Sequence, residues 1–165
     1  MIEIVDKSKC CGCEACRSIC PKKCISMQAD KEGFLYPKVD LSQCVDCQLC
    51  EKVCPVLNPK YSKKEPLAYA GINNDINIRL QSSSGGIFTL IAEQVILKKG
   101  VVFGACFDEQ WNVVHDYTET KEGLARFRGS KYVHSYIGDS FLQAKRFLDE
   151  GRFVLFSGTP CQIAG

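Results

Sequence analysis

One cysteine spacing occurs twice near the start of the chain, and it restricts what this region can fold into. The first copy reads Cys-x₂-Cys-x₂-Cys-x₃-Cys-Pro from Cys10 to Pro21, and the second repeats it from Cys44 to Pro55. Ten of the twelve cysteines in the chain lie between Cys10 and Cys54. Such a duplication predicts two copies of one small unit, each shaped by what its thiols bind.

Disulfides and metal binding are the two common uses of clustered cysteines. The first residues have neither the basic start nor the apolar core of a signal peptide, so we predict a cytoplasmic protein. Because thiols stay reduced in the cytosol, metal binding is the better interpretation. Three closely spaced cysteines followed by Cys-Pro are typical of [4Fe–4S] proteins, in which the fourth cysteine binds the other cluster. The sequence therefore predicts two [4Fe–4S] clusters with crossed ligation.

Zinc is the alternative metal, since paired Cys-x₂-Cys motifs are also common in zinc sites. Zinc requires neither the third cysteine nor the Cys-Pro, and both are present in each copy. The cluster motifs resemble those of bacterial dicluster ferredoxins over residues 1–58. The predicted ligands of one cluster are Cys10, Cys13, Cys16 and Cys54, and those of the other are Cys20, Cys44, Cys47 and Cys50.

Two further cysteines of this region, Cys11 and Cys24, fall outside the repeated spacing and are predicted not to ligate a cluster. Cys24 is expected to open a β-hairpin that joins the two motifs and runs from about Ile25 to Tyr36. After the second motif, residues 59–66 are polar, basic and bracketed by prolines, which predicts a linker. Its lysines either guide an acidic partner or form an ordinary solvated charge run.

The rest of the chain, residues 67–165, alternates between strand and helix patterns. The predicted strands are Leu67–Ile72, Val101–Phe107, Trp111–Tyr117 and Phe153–Phe156. The predicted helices are Asp75–Gln81, Ile87–Lys99, residues 121–127 and Asp139–Glu150. We expect Ile87, Leu90, Ile91 and Val95 to share one helix face. These patterns predict an α+β fold in which a ferredoxin-like domain precedes an α/β layer with a mixed sheet.

Two loops and one basic cluster in this half are candidates for chemistry. Residues 82–86, Ser-Ser-Ser-Gly-Gly, precede a helix and either bind phosphate or make an ordinary helix cap. In residues 157–162, Pro160 places Cys161 near a helix N-terminus, as a reactive thiol or an inert buried one. The basic side chains of Arg126, Arg128 and Lys131 either neutralise a diphosphate or form a surface patch. The remaining candidates, Cys106, His115 and His134, are interpreted as structural.

Three motifs of this half, at residues 83–89, 128–133 and 158–162, together resemble the coenzyme F-420 hydrogenase/dehydrogenase beta-subunit family. That resemblance implies FAD as a second cofactor. It implies flavin binding by Ser83, Ser84, Gly85, Gly86, Ser130, Lys131 and Tyr132, with Thr159 and Cys161 near the flavin or a cluster. Family members continue past the position of Gly165, so the chain is expected to be truncated there.

The leading hypothesis is an iron–sulfur flavoprotein oxidoreductase of an anaerobe, or the N-terminal portion of one. Electrons would pass between a flavin, where a small-molecule substrate reacts, and a redox protein or low-potential carrier that docks at residues 1–58. The alternatives are a non-catalytic ferredoxin-type module with a partner-binding domain and a zinc-stabilised interaction protein. A formal charge of +2 lacks the basic excess of nucleic-acid-binding domains, and no apolar stretch predicts a membrane span.

Overall fold

The computed structural model describes residues 1–59 and 65–165. Residues 60–64, which make up most of the predicted linker, lie outside the described residues. The described residues form two compact units. The first unit contains the residues up to 59 together with Ile137–Phe141 and Gly158–Gly165, and the second contains residues 65–136 together with Leu142–Ser157. Two short segments of the predicted second domain therefore pack with the cysteine-rich region.

The first unit is built on a two-stranded hairpin and short helices. Strand β1 (Ile25–Ala29) pairs antiparallel with β2 (Leu35–Val39), which confirms the predicted hairpin and extends it to Val39. The turn is held by the Asp30 carboxylate, which accepts hydrogen bonds from the backbone N–H groups of Glu32 and Phe34. The helices of this unit are α1 (Ala15–Ile19), α2 (Leu49–Val53) and α6 (Pro160–Ala164).

The core of the first unit consists largely of cysteine. Its buried residues are Ile2, Cys24, Ile25 and Cys50, and the half-buried residues packed against them are Ile4, Val39 and further cysteines. A unit this small buries little aliphatic surface. Its stability therefore depends on what the thiols hold.

The second unit contains a three-stranded mixed sheet with the order β4-β3-β5. The central strand β3 (Val101–Phe107) pairs antiparallel with β4 (Val113–Thr118) and parallel with β5 (Val154–Phe156). These positions agree with three of the predicted strands to within two residues. The predicted α+β class with a mixed sheet is confirmed.

Each face of strand β3 is covered, because its alternate side chains point in opposite directions. On one face, Val102 and Cys106 pack with Ala92 of helix α4 (Ile87–Leu97). On the other face, Val101 and Phe103 pack with Ala144 and Phe147 of helix α5 (Ser140–Asp149). Cys106 is thus a core residue, as predicted.

Helix α3 and a 3₁₀ turn complete the second unit. The Asp75 carboxylate caps α3 (Ile76–Leu80) by accepting the N–H groups of Asn77 and Ile78, which confirms the predicted short helix. A 3₁₀ helix over Glu122–Phe127 stands where a helix over 121–127 was expected, and Leu124 from it is fully buried. Over residues 1–59 and 65–165, no helix has both the length and the apolar character needed to cross a bilayer.

Two predictions for this half are wrong. Residues 67–72 form no strand; Leu67 and Tyr69 are 80% and 86% exposed, so the apolar run gains neither burial nor a neighbouring strand. On helix α4 the buried face carries Ala92 rather than Leu90 and Ile91, which are 41% and 50% exposed. Because apolar residues lie on nearly every side of this helix, their periodicity does not identify the face that packs.

Candidate iron–sulfur site

The two cysteine loops share one backbone conformation. In the first loop, Gly12 and Glu14 have positive φ angles of 62° and 61°, and in the second, the equivalent Asp46 and Gln48 have 47° and 58°. Glycine adopts this left-handed region easily, whereas other residues enter it at a cost. Left-handed residues set between ordinary ones form a concave nest of backbone N–H groups, which favours a bound anion. An iron–sulfur cluster ligated by four thiolates is such an anion.

Backbone N–H groups also point at the sulfur atoms. The N–H of Ile2 donates to Sγ of Cys50 at 3.2 Å. Burial raises the pKa of the Cys16 thiol to about 12, and the neighbouring Cys13 thiol adds to this effect, while the N–H of Arg17 acts in the opposite direction. A thiolate in this position needs a cationic metal centre for its stability.

The first cavity has a volume of about 230 Å³, and residues of the first loop line it. Its cysteine lining comprises Cys10, Cys13 and Cys16 of the first motif, Cys54 of the second motif, and Cys11. The walls are mainly apolar and include Ile2, Ile4, Val5, Met27, Pro37, Val56 and Leu57. The structure thus brings together four thiols from two motifs in an environment that keeps water away.

The second cavity, of about 20 Å³, has the same construction. Cys44, Cys47 and Cys50 of the second motif line it, together with Cys20 of the first motif and Cys24. Burial acts to raise the pKa of the Cys20 thiol, but hydrogen bonds from the N–H and thiol of Cys24 and from the N–H groups of Lys22 and Lys23 outweigh it and lower that pKa. Each cavity therefore contains three thiols of one copy and the Cys-Pro thiol of the other.

The thiols line cavities with apolar walls, which suits an iron–sulfur cluster. In the described part of the chain, no group of three His, Cys, Asp or Glu side chains is drawn together around a point for a single metal ion.

Comparison with known families agrees with this geometry. Residues 9–58 match the family model of the 4Fe-4S dicluster domain. No curated protein matches the chain. The match and the two cavities together support iron–sulfur electron transfer by this part of the chain.

The region that matches this family model contains two cysteines whose position the spacing did not predict. Cys11 lines the first cavity, and burial raises the pKa of its thiol to about 12. Cys24 lines the second cavity, and its Sγ lies 3.4 Å from that of Cys20. Each of the two cavities therefore has a fifth cysteine, which the repeated motif does not encode.

Glu14 is a further residue that sequence reasoning missed. It is only 5% exposed, and its Oε1 accepts the N–H of Ile137 at 2.8 Å. Its Oε2 lies 3.5 Å from Arg17, which also donates to the carbonyl oxygen of Gly138 at 2.9 Å. This ion pair attaches the segment Ile137–Phe141 to the first cysteine loop. A buried glutamate cannot be recognised from the cysteine spacing.

Five residues predicted to bind flavin lie around one pocket of the second unit, with a volume of about 360 Å³. They are Ser83, Ser84, Gly85, Gly86 and Ser130. The N–H of Ser130 donates to Oγ of Ser83 at 2.6 Å, so the two predicted motifs are in direct contact. Gly85 is required here, because a Cβ atom at this position would lie 2.6 Å from the carbonyl oxygen of Gly71.

The predicted basic cluster is divided. Arg128 lines this pocket and donates to Thr89 at 3.2 Å and to Gln81 at 2.8 Å. Arg126 instead pairs with Asp116. Lys131 donates to the carbonyl oxygens of Arg126 and Arg128 at 3.0 and 2.9 Å, so it braces its own loop.

Three other residues of the predicted flavin site lie elsewhere. Tyr132 is 94% exposed and does not line the pocket. Thr159 and Cys161 belong to the first unit, where Pro160 opens helix α6 and Cys161 lies in its first turn, as predicted. His115 is buried between Ser135 and Ser157, which agrees with its structural interpretation, and His134 is exposed.

Proposed function

We propose that this chain carries electrons between an external carrier and a flavin through two [4Fe–4S] clusters, as the iron–sulfur arm of a flavoprotein oxidoreductase. The observation that carries the proposal is the pair of cavities, each lined by four motif cysteines drawn from both copies. Crossed ligation of this kind is typical of two-cluster ferredoxins, and it keeps two clusters close together.

In this proposal, Cys10, Cys13, Cys16 and Cys54 hold one cluster, and Cys20, Cys44, Cys47 and Cys50 hold the other. Backbone N–H groups, such as that of Ile2 on Cys50, stabilise negative charge on the sulfur atoms. The apolar walls of the first cavity exclude water, and this changes the reduction potential.

The flavin part of the proposal concerns the pocket of the second unit. Its residues offer what a diphosphate needs: hydroxyl groups of Ser83 and Ser84, the Arg128 guanidinium, and the N-terminus of the eleven-residue helix α4. The resemblance of these motifs to the F-420 hydrogenase/dehydrogenase beta-subunit family supports FAD as the ligand. A bound flavin supplies the exchange between electron pairs and single electrons.

The clusters are tested by reconstituting the chain without oxygen and measuring iron and acid-labile sulfide. Because each cluster holds four irons, we expect about eight irons per chain. The variants Cys54→Ala and Cys20→Ala should each lower the iron content to about four, since each removes one ligand of one cluster. Cys106→Ala is the matched control, because Cys106 lies in the core of the second unit. Zinc, or full iron content in both ligand variants, would contradict the assignment.

The flavin is tested separately by titrating the reconstituted chain with FAD and following fluorescence quenching. We expect Arg128→Gln to weaken FAD binding about tenfold, as loss of one charge-assisted hydrogen bond to phosphate should. Arg146→Gln is the control, because Arg146 lies on helix α5 and does not line the pocket. A chain that holds both clusters but binds no FAD would leave a non-catalytic electron-transfer module as its function.

A further inference from the structure

Three exposed lysines gather at the hairpin of the first unit, around a surface groove of about 440 Å³. Lys23 and Lys38 line this basic groove, and Lys22 lines the second cavity next to it. Within the described residues, the lysines that form ion pairs are Lys9, Lys121 and Lys145. The three lysines at the hairpin therefore keep their positive charge available to a partner.

The basic groove and the second cavity are direct neighbours, because Cys24 and Val39 line both of them. The backbone N–H of Asp40 donates to the carbonyl oxygen of Cys24 at 2.8 Å, which fixes the end of β2 against the start of β1. The N–H of Lys23 donates to the carbonyl oxygen of Cys20 at 3.1 Å. One tight turn thus holds both a predicted cluster ligand and a lysine of the groove.

The cysteines of the second cavity include the one nearest to solvent. All the cysteines lie in the described part of the chain, and among them only Cys47 is exposed. Leu41 in the groove and Val45 in the second cavity are 66% and 58% exposed. Apolar side chains surrounded by charged ones are typical of protein–protein interfaces. An external carrier could therefore approach the second cluster on this side.

The acidic groups near the groove already have partners. The Asp40 carboxylate accepts hydrogen bonds from the N–H and hydroxyl of Ser42 at 3.0 and 2.7 Å and from the side-chain amide of Gln43 at 2.6 Å. Asp46 pairs with the N-terminal amine at 3.0 Å. A cluster ligated by four thiolates is itself an anion, so it repels an acidic carrier unless nearby cations offset its charge. The three lysines supply such cations.

We propose that the basic groove, with Lys22 beside it, is the docking surface for an electron-carrier protein that has an acidic face, and that electrons enter or leave through the second cluster. In each exchange one electron passes between the carrier and the cluster, which alternates between [4Fe–4S]²⁺ and [4Fe–4S]⁺. The electron exchange rests on the proposed function, whereas the charge of the groove rests on the structure alone. Opposite charges at such a surface mainly raise the rate of association.

The docking surface is tested with two haem proteins of opposite charge. The reconstituted chain is reduced without oxygen and mixed in a stopped-flow instrument with the acidic soluble domain of cytochrome b₅ or with basic cytochrome c. Each accepts one electron, and its haem absorbance reports the reduction. We expect the triple variant Lys22→Gln, Lys23→Gln, Lys38→Gln to reduce cytochrome b₅ about tenfold more slowly at low salt and to lose most of the salt dependence. Its rate with cytochrome c should not fall.

A second triple variant is the matched control, because it removes the same charge from exposed positions of the first unit that line neither the groove nor the second cavity. Its substitutions are Lys7→Gln, Lys9→Gln and Lys52→Gln. The control should reduce cytochrome b₅ at nearly the wild-type rate, with iron content equal in all three proteins. Equal slowing in both variants, or a wild-type rate that does not depend on salt, would overturn the proposal.

The position of the surface is tested independently of electron transfer by carbodiimide cross-linking to cytochrome b₅. The reagent joins a lysine amine to a carboxylate of the partner as an amide, and tandem mass spectrometry identifies the lysine. We expect cross-links at Lys22, Lys23 or Lys38, and cross-links confined to other lysines would overturn the proposal. A chain that holds iron but reduces neither cytochrome would instead refute the proposed function, and the cross-links would still decide where the acidic protein docks.

Discussion

The two units of the molecule are held together by different means. In the first unit the buried core consists of two isoleucines and two cysteines, Ile2, Ile25, Cys24 and Cys50, and most of the remaining cysteines are half-buried around it. In the second unit a central strand is covered on both faces by aliphatic and aromatic side chains. A sequence therefore specifies a fold either through the ligands of a cofactor or through the burial of apolar surface, and this chain uses one method in each unit.

The aromatic residues of the second unit illustrate the second method. Phe103 on strand β3 contacts Tyr117 and Phe156 with ring centroids 5.4 and 5.3 Å apart, and Phe147 at 6.3 Å. Such pairs contribute about 0.5–1.5 kcal/mol each beyond the burial of their area. No residue of this cluster is a candidate metal ligand, so its stability does not depend on iron.

Removal of the clusters should have the largest effect, and it should be confined to the first unit. After iron is removed with acid and a chelator, we expect backbone amides of β1 and β2 to exchange with deuterium at nearly the unfolded rate. Amides of β3 and β4 should keep their protection, because the hydrophobic core around them is unchanged. Hydrogen exchange measured by mass spectrometry checks both. Equal loss of protection in the two units would show that the second unit also depends on the clusters for its stability.

Glu14 tests a different source of stability in the first unit, because its side chain makes hydrogen bonds within the protein and does not bind a cluster. Glu14→Ala leaves the buried N–H of Ile137 without an acceptor, so we expect a loss of about 1–3 kcal/mol in the free energy of unfolding of the first unit. Chemical denaturation of the reconstituted chain measures it.

Gln48→Ala is the matched control for Glu14→Ala. Gln48 occupies the equivalent position of the second loop with nearly the same φ angle, yet it is exposed. The backbone cost of alanine is therefore the same in both variants, and only the side-chain contacts differ. If both variants lost the same stability, the Glu14 contacts would contribute nothing.

The contrast between the units also explains how far the sequence could be interpreted. The cysteine spacing predicted which thiols meet, including the return of Cys54 to the first cavity and of Cys20 to the second, because cluster ligation imposes strict geometry on the chain. The spacing could not place Cys11, Cys24 or Glu14, since their positions depend on segments far away in sequence.

In the second unit, the predictions were correct where the local sequence pattern is compatible with only one secondary structure. Val101–Phe107 reads as a buried strand, and Asp75 reads as a helix cap. They were wrong where burial depends on tertiary packing. Residues 67–72 have an apolar composition but no strand partner, and helix α4 is apolar on more sides than it can bury. The hydrogen bond between the N–H of Ser130 and Oγ of Ser83 joins two segments that no local pattern relates.

The smallest effect concerns pH and the second unit alone. Burial lowers the pKa of His115, against the opposing effect of its hydrogen bond to the backbone of Ser157. Its Nε2 lies 2.8 Å from the carbonyl oxygen of Ser157 and its Nδ1 lies 2.9 Å from Oγ of Ser135. Since a carbonyl oxygen only accepts, Nε2 carries the proton and the neutral ring accepts from Ser135 at Nδ1.

Protonation of His115 should therefore destabilise the second unit. The folded pKa is lower than the unfolded value of about 6.5, so the stabilisation is complete above that pH and is lost as the pH falls through the lowered value. The measurement is the free energy of unfolding of the second unit in urea at several pH values between neutral and mildly acidic. Hydrogen exchange of the β4 amides detects the unfolding. His115→Gln should flatten this dependence, whereas His134→Gln, at an exposed position, should preserve it.

An unchanged pH profile in His115→Gln would mean that acid acts on the second unit through its carboxylates. Because His115 lies in the second unit, acid sensitivity there should be the same with and without iron, and a difference would show that the two units do not respond independently.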